Sequence, residues 1–259
     1  MNTLENRLKI ALGNDETQLG MWLGFAHPMM AEIVANAGYD WCVIDGEHAP
    51  NTIQTILAQL HAMNGSRAAP VVRVPIGHGW LLKQILDIGA QNILVPMVNT
   101  GKEAAEMVRA VRYPPAGVRG MANAMIRASG YNAIKDYVVK ANDHICLIVQ
   151  VESAEAIRNI DSIANTDGVD VVFIGPSDLS ADMGFPGQPE SPKVNEAIEY
   201  AIKRIHAAGK ASGIITYGAE NYARYHELGV RFLGLGADVT VVAERVRGIV
   251  DHARKTLNV

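Results

Sequence analysis

Leu147-Ile148-Val149-Gln150-Val151-Glu152 and Val169-Asp170-Val171-Val172-Phe173-Ile174-Gly175-Pro176-Ser177-Asp178 are two apolar runs that each close on a carboxylate. Nearly continuous apolar runs of this length read as strands covered on both faces, as in a parallel sheet. A strand that stops on an acid points a hard oxygen ligand at the rim of its sheet. The two rims lie one βα unit apart, which predicts that Glu152 and Asp178 reach one divalent cation. Magnesium, manganese and cobalt all suit such ligands.

The pattern repeats outward along the chain. Strand-like runs fall at 20–24, 41–45, 71–74, 92–97, 146–151, 169–174, 211–216 and 232–235. Helix candidates follow them at 28–37, 52–63, 80–87, 102–111, 153–163, 191–208, 218–227 and 239–256. Gly38 is the expected C-cap of the first and Asn51 the expected N-cap of the second. Eight βα repeats predict a (β/α)8 TIM barrel. An open doubly wound sheet is the alternative, but it gathers its ligand loops at a switch point. Here the candidate polar residues follow the second, third, fifth and sixth strands, which suits a closed ring. With no linker in sight, residues 1–259 are expected to form a single domain. The longest irregular stretch, 112–142, opens with Tyr113-Pro114-Pro115-Ala116-Gly117-Val118-Arg119-Gly120 and reads as a lid or an oligomer contact.

Composition narrows the function classes. At 259 residues and 49% hydrophobic content, the chain can bury a large core. A formal charge of −4 without a basic stripe argues against a nucleic-acid partner. The two cysteines, Cys42 and Cys146, lie inside apolar runs and read as small buried hydrophobes. No run reaches membrane-spanning length, and Met1-Asn2-Thr3-Leu4-Glu5-Asn6-Arg7 lacks a secretory apolar core, so a cytoplasmic protein without a membrane partner is expected.

Several strand ends carry further chemistry. Asp45-Gly46-Glu47-His48 closes the second strand. His48 is the best candidate base, because imidazole titrates near neutral pH. Asp45 and Glu47 either hold waters of a bound cation or orient their neighbours. Asp87, late in the third helix, either orients His48 or is an exposed helical acid. Arg73 sits inside Val71-Val72-Arg73-Val74-Pro75, where a charge is costly unless partnered. It either pairs with Glu47 or Glu152, or grips a keto-acid with its planar fork. Gln150 shares the face of Glu152 at a period of two and either binds a metal-bound water or packs. Gly175 permits close backbone approach, and amides near Ser177 suit a substrate carboxylate. Trp22 is an aromatic wall of the mouth or part of the core. No lysine ends a strand, since Lys210 precedes the seventh and Lys83 falls in a helix. A Schiff-base mechanism is therefore disfavoured.

These residues resemble the HpcH/HpaI aldolase family over nearly the whole chain. The specific pieces are Asp45-Gly46-Glu47-His48-Ala49-Pro50, the strand around Arg73, Leu94-Val95-Pro96-Met97, Arg112-Tyr113-Pro114-Pro115-Ala116-Gly117-Val118-Arg119-Gly120, and Phe173-Ile174-Gly175-Pro176-Ser177-Asp178-Leu179-Ser180. The resemblance implies a class II, metal-dependent pyruvate aldolase that reversibly cleaves 4-hydroxy-2-oxo acids to pyruvate and an aldehyde. It makes Glu152 and Asp178 the metal ligands. It makes His48 a base acting through a metal-bound water, with Asp87 its partner. Arg73 becomes the pyruvate-side arginine, and Asp45 an acid one layer behind the metal. It further implies a homo-hexamer, a trimer of dimers, with the C-terminal helix exchanged between paired subunits. The loops at Phe25-Ala26-His27-Pro28 and Ile76-Gly77-His78-Gly79 depart from the commoner family pattern and are expected to shape the aldehyde end. A 2-keto-3-deoxy sugar-acid aldolase, of rhamnonate or glucarate type, is the neighbouring alternative. A keto-acid-binding barrel without turnover is the non-enzymatic one.

Overall fold

Eight parallel strands close on one another in chain order: β1 (Gln18–Leu23), β2 (Trp41–Asp45), β3 (Ala69–Arg73), β4 (Asn92–Val95), β5 (Cys146–Val151), β6 (Val171–Ile174), β7 (Ala211–Ile215) and β8 (Phe232–Ala237). The computed structural model describes residues 4–259. The ring seals where β8 pairs with β1, Gln18 opposite Phe232. The expected barrel is therefore present. The helices are α1 (Arg7–Gly13), α2 (Pro28–Ala35), α3 (Ile53–Ala62), α4 (Gly79–Asp87), α5 (Gly101–Val111), α6 (Tyr137–Lys140), α7 (Ala154–Arg158), α8 (Ile160–Ala164), α9 (Pro176–Asp182), α10 (Pro192–Ala207), α11 (Glu220–Glu227) and α12 (Asp238–Leu257).

Two interleaved cores explain why the strands are apolar throughout. Val43, Val71, Leu94, Ile148, Val171 and Phe173 point into the barrel. Their neighbours Ile44, Val72, Ile93, Val149, Val172 and Ile174 point outward beneath the helices. This is the period-two alternation of a strand with both faces buried. Cys42 faces the helices and Cys146 the barrel interior, both as buried free thiols.

Aromatic rings fill much of the interior over bare backbone. Trp41 stacks on Phe232 with centroids 3.8 Å apart, and Trp22 lies tilted against Phe173. A Cβ on Gly20 would stand 2.0 Å from the Trp41 indole, so only glycine leaves room for that stack. Gly20→Ala should therefore lower stability by roughly 3 kcal/mol, the upper end for overpacking. Thermal unfolding checks this: a melting point within a degree of the parent would show that the indole moves aside freely.

Local differences from the sequence-based expectation have identifiable causes. Asn51 does not cap α3. Thr52 does, through a reciprocal capping box with Thr55, and the Asn51 side chain turns inward to donate to the Asp45 carbonyl at 2.7 Å. The first helix of the barrel, α2, stops at Ala35 with Asn36 as its cap, two residues before Gly38. The single helix expected at 153–163 divides at Asn159, whose side chain donates to the Asn99 carbonyl at 2.9 Å. Besides the single turn α6 inside the irregular stretch, two helices were not expected. One is α1, which seats Leu8 and Leu12 in the interior core. The other is α9, which carries Asp178 in its first turn.

Candidate active site

The strand register assembles one end of the barrel. Asp45 and Arg73 are direct neighbours across β2 and β3. A lone arginine in an apolar strand thus meets a carboxylate one strand away. Arg73 Nε donates to Asp45 Oδ1 at 2.9 Å, and Nη2 to Oδ2 at 2.6 Å. Its Nη1 lies 2.8 Å from Glu47 Oε2, an ion contact without good hydrogen-bond alignment. The expected pairing with Glu47 is present, whereas the stronger partner is Asp45 and no ion pair to Glu152 forms. Asp45 Oδ1 also accepts the backbone N–H groups of Glu47 and His48, at 3.0 and 3.3 Å. One buried carboxylate therefore orients both the arginine and the loop that carries the histidine.

Glu152 follows β5 and is buried. Its Oε1 accepts the Met97 N–H at 2.7 Å, and its Oε2 accepts from the Gln150 amide. Gln150 Oε1 is left without a partner among the described residues. Opposite stands Gly175, where a Cβ would sit 2.8 Å from Glu152 Oε2. That glycine keeps a space at the carboxylate that any other residue would fill. Asp178 stands exposed beyond it on α9.

The acids feel one another. Burial raises the Glu152 pKa above the ordinary glutamate value. Hydrogen bonds from Gln150 and Met97 oppose this, and the Asp178 and Glu47 carboxylates add to it. Burial likewise raises Glu47, with Arg73 and His48 opposing and Asp45 and Asp178 adding. A cluster of negative groups that resist ionisation together suits a cation. Among the described residues no three His, Cys, Asp or Glu side chains come together as a metal-binding group. Two carboxylates can still hold a hard cation whose remaining positions go to water and substrate.

A cavity of about 540 Å3 opens here, lined among others by Trp22, Asp45, His48, Arg73, Gln150 and Gly175, with Ser177 and Asp178 on its α9 side. Trp22 forms its floor, with the Arg73 guanidinium 5.8 Å from the ring centroid. The His48 side chain is largely exposed and lies 3.8 Å from Glu47 through Nε2. Asp87 is not part of this assembly. It ends α4 and binds Arg119 at 2.7 Å. A helix that follows a barrel strand runs back toward the strand starts, so its last turn lies at the opposite end from His48. The expected His48–Asp87 contact does not form within the chain. His27 caps α2, accepting from Met29 at 3.2 Å, and neither His27 nor His78 lines the cavity.

Sequence reasoning passed over residues after the last two strands. Tyr217, Val239 and Thr240 line the cavity. Asp238 is buried and accepts the N–H groups of Gly24 and Val239, both at 2.7 Å, tying the loop after β1 to the start of α12. The signal was the one used elsewhere, a polar residue directly after an apolar strand. Gly234 makes room for Trp22, since a Cβ there would lie 2.9 Å from the indole.

A closed parallel barrel with acids, an arginine and a histidine at the strand-end mouth is the architecture of a barrel enzyme. The sequence says which kind: a profile of the HpcH/HpaI aldolase/citrate lyase family matches residues 18–244, and the chain belongs to that family. It is 49% identical over 245 residues to a hydroxypyruvate/pyruvate aldolase of Agrobacterium fabrum, covering 95% of this chain and 92% of that one. It is 49% identical over 246 residues to a 4-hydroxy-2-oxo-heptane-1,7-dioate aldolase of Escherichia coli, covering 95% and 94%. A crystal structure of a family member from Burkholderia cenocepacia superposes with a TM-score of 0.93 at 38% identity, covering 96% of this chain and 99% of that one.

Proposed function

We propose that the protein is a class II pyruvate aldolase that reversibly cleaves 4-hydroxy-2-oxo acids to pyruvate and an aldehyde. The observation that carries this is one cavity lined by Asp178, Arg73 and His48, with Glu152 buried directly behind its lining residues Gln150 and Gly175. Glu152 and Asp178 would hold a divalent cation, magnesium, manganese or cobalt. The space kept by Gly175 and the mutual repulsion of the acids both fit one. Such a cation polarises the 2-oxo group and offsets negative charge as the carbon–carbon bond breaks.

The chain's own groups do the rest. Asp45 consumes two of the five N–H donors of Arg73, leaving others for a keto-acid oxygen. Held rigidly, that guanidinium stabilises enolate charge without reorganising. The base system around His48 takes the proton of the C4 hydroxyl, the C3–C4 bond breaks, and the aldehyde leaves. Gln150 offers a free carbonyl to a water or hydroxyl in the site. The first-turn amides of α9 near Ser177 face the substrate carboxylate. The acceptor is a short aldehyde or a sugar-derived one. The names of the relatives support testing both pyruvate and hydroxypyruvate as donors.

His48→Ala should lower retro-aldol turnover by roughly 10²-fold, the usual scale for a proton-transfer group. Pyruvate release, measured before and after verified removal of divalent cations, tests the whole reading. Undiminished release from either the mutant or the stripped enzyme would reject it.

We also propose a homo-hexamer built from dimers that exchange α12. Every residue of α12 beyond Ala243 is exposed, including Val246, Ile249 and Val250. A long helix with an uncovered apolar stripe needs a partner surface.

A further inference from the structure

A second cavity, of about 390 Å3, opens at the other end of the barrel, where the strands begin. Its lining shares no residue with the mouth cavity. Arginines dominate its charge: Arg7, Arg67, Arg119 and Arg127 line it, against Glu5 as the only lining acid among the described residues. Two of the four are matched from behind, Arg67 by Asp40 at 3.0 Å and Arg119 by Asp87 at 2.7 Å. The other two are not.

Arg127 is the telling one. It is buried to 8% exposure. Its Nη1 donates to the Ile88 carbonyl at 2.8 Å, and no carboxylate of the described residues pairs with it. Residues 1–3, Met-Asn-Thr, bring no acidic side chain. Burial pulls its guanidinium below the ordinary arginine pKa. Gly89 makes the placement possible, because a Cβ there would stand 2.4 Å from Arg127 Nη1. The guanidinium can thus lie across the turn between α4 and β4 and border the hollow. A buried cation without a counter-charge costs several kcal/mol, and an oxyanion supplies that charge in the geometry a guanidinium fork prefers.

We propose that this hollow binds a small oxyanion, phosphate or a short dicarboxylate, on Arg127. Arg7 and Arg119 supply the surrounding positive field. The site is independent of the aldolase reading, because it uses none of the mouth residues. Occupied, it would clamp loop 112–145 against the strand starts and stabilise the fold by linkage.

The test is thermal unfolding of the full chain at constant ionic strength. Inorganic phosphate is titrated in one arm, succinate in a second and chloride in a control. The parent should show a saturable rise in melting temperature with phosphate or succinate and none with chloride. Arg127→Met should raise the half-saturating concentration roughly tenfold to hundredfold, the weight of a charged hydrogen bond. It should leave retro-aldol turnover unchanged, and its melting point in chloride should match or exceed the parent's. Arg7→Ala, whose side chain is exposed and whose loss leaves the core intact, should also weaken the response. No shift in the parent would overturn the proposal, as would equal half-saturation in parent and both variants. If Arg127→Met does not fold, Arg7→Ala decides alone.

Discussion

Glu152→Gln should abolish most retro-aldol activity, by about 10³-fold, while leaving the melting point within a few degrees of the parent. The loss follows from charge. Glu152 is the buried member of the pair proposed to hold a cation, and an electrostatic group aimed at developing charge is worth roughly 10²–10³ in turnover. The retained stability follows from shape. The amide oxygen can still accept from Met97, which holds Oε1 at 2.7 Å in the parent. What the variant gives up is the bond from the Gln150 amide. What it gains is relief, because burial and the carboxylates of Asp178 and Glu47 all resist charge at this position. Removing a charge that its surroundings oppose offsets the lost hydrogen bond. Manganese titration should show affinity lost together with turnover. A variant that keeps its turnover, or that binds manganese as tightly as the parent, would remove Glu152 from the metal site. Gly175→Ala gives the same site a steric probe, since its methyl would occupy the space beside Oε2.

The strands were legible because a strand buried on both faces has no choice but to be apolar. Runs such as Cys146–Val151 and Val171–Ile174 announce themselves without any knowledge of what covers them. Their ends were legible for the complementary reason: an abrupt change to Glu152, or to Gly175-Pro176-Ser177-Asp178, has no packing explanation. The helix α9 was not legible as a helix, because Gly175-Pro176 reads as a turn. Proline at the first helical position is nonetheless a start signal, and the buried Leu179 marks the helix's packed side. The pairing of Asp45 with Arg73 needs the register of β2 against β3, which a single chain of residues does not carry. For Asp87 the residues left two roles open, orienting His48 or an exposed helical acid, and the family resemblance favoured the first. The predicted barrel already argued against that contact within one chain, because the helix after a strand runs back and carries Asp87 to the strand starts, where it meets Arg119. Tyr217 and Asp238 were within reach of the strand-end argument and were missed because it was applied to only some of the strands.

Arg73→Ala should be the most damaging single substitution to stability at the mouth, at about 3–5 kcal/mol, the range for breaking a buried ion pair by removing one member. Asp45 and Arg73 have side-chain exposures of 6% and 9%, and Glu47 is 13% exposed, so water screens little of the cost. Without the guanidinium, two carboxylates face each other across the first residues of the loop, and Asp45 is also the acceptor that holds Glu47 and His48 in place. At 2–4 °C per kcal/mol for chains of this size, the melting point should fall by on the order of 10 °C. Activity falls as well, and that alone would not distinguish a substrate-gripping arginine from a structural one. Arg73→Lys separates the two. An ammonium keeps one positive charge near Asp45 but lacks the planar fork that serves Asp45 and a keto-acid at once. The lysine variant should recover most of the lost stability while its KM for the 2-oxo acid stays at least tenfold above the parent's, the loss of roughly one charged hydrogen bond. If lysine restores KM along with the melting point, Arg73 serves only to neutralise Asp45 and Glu47, and the enolate must be stabilised by other groups at the mouth.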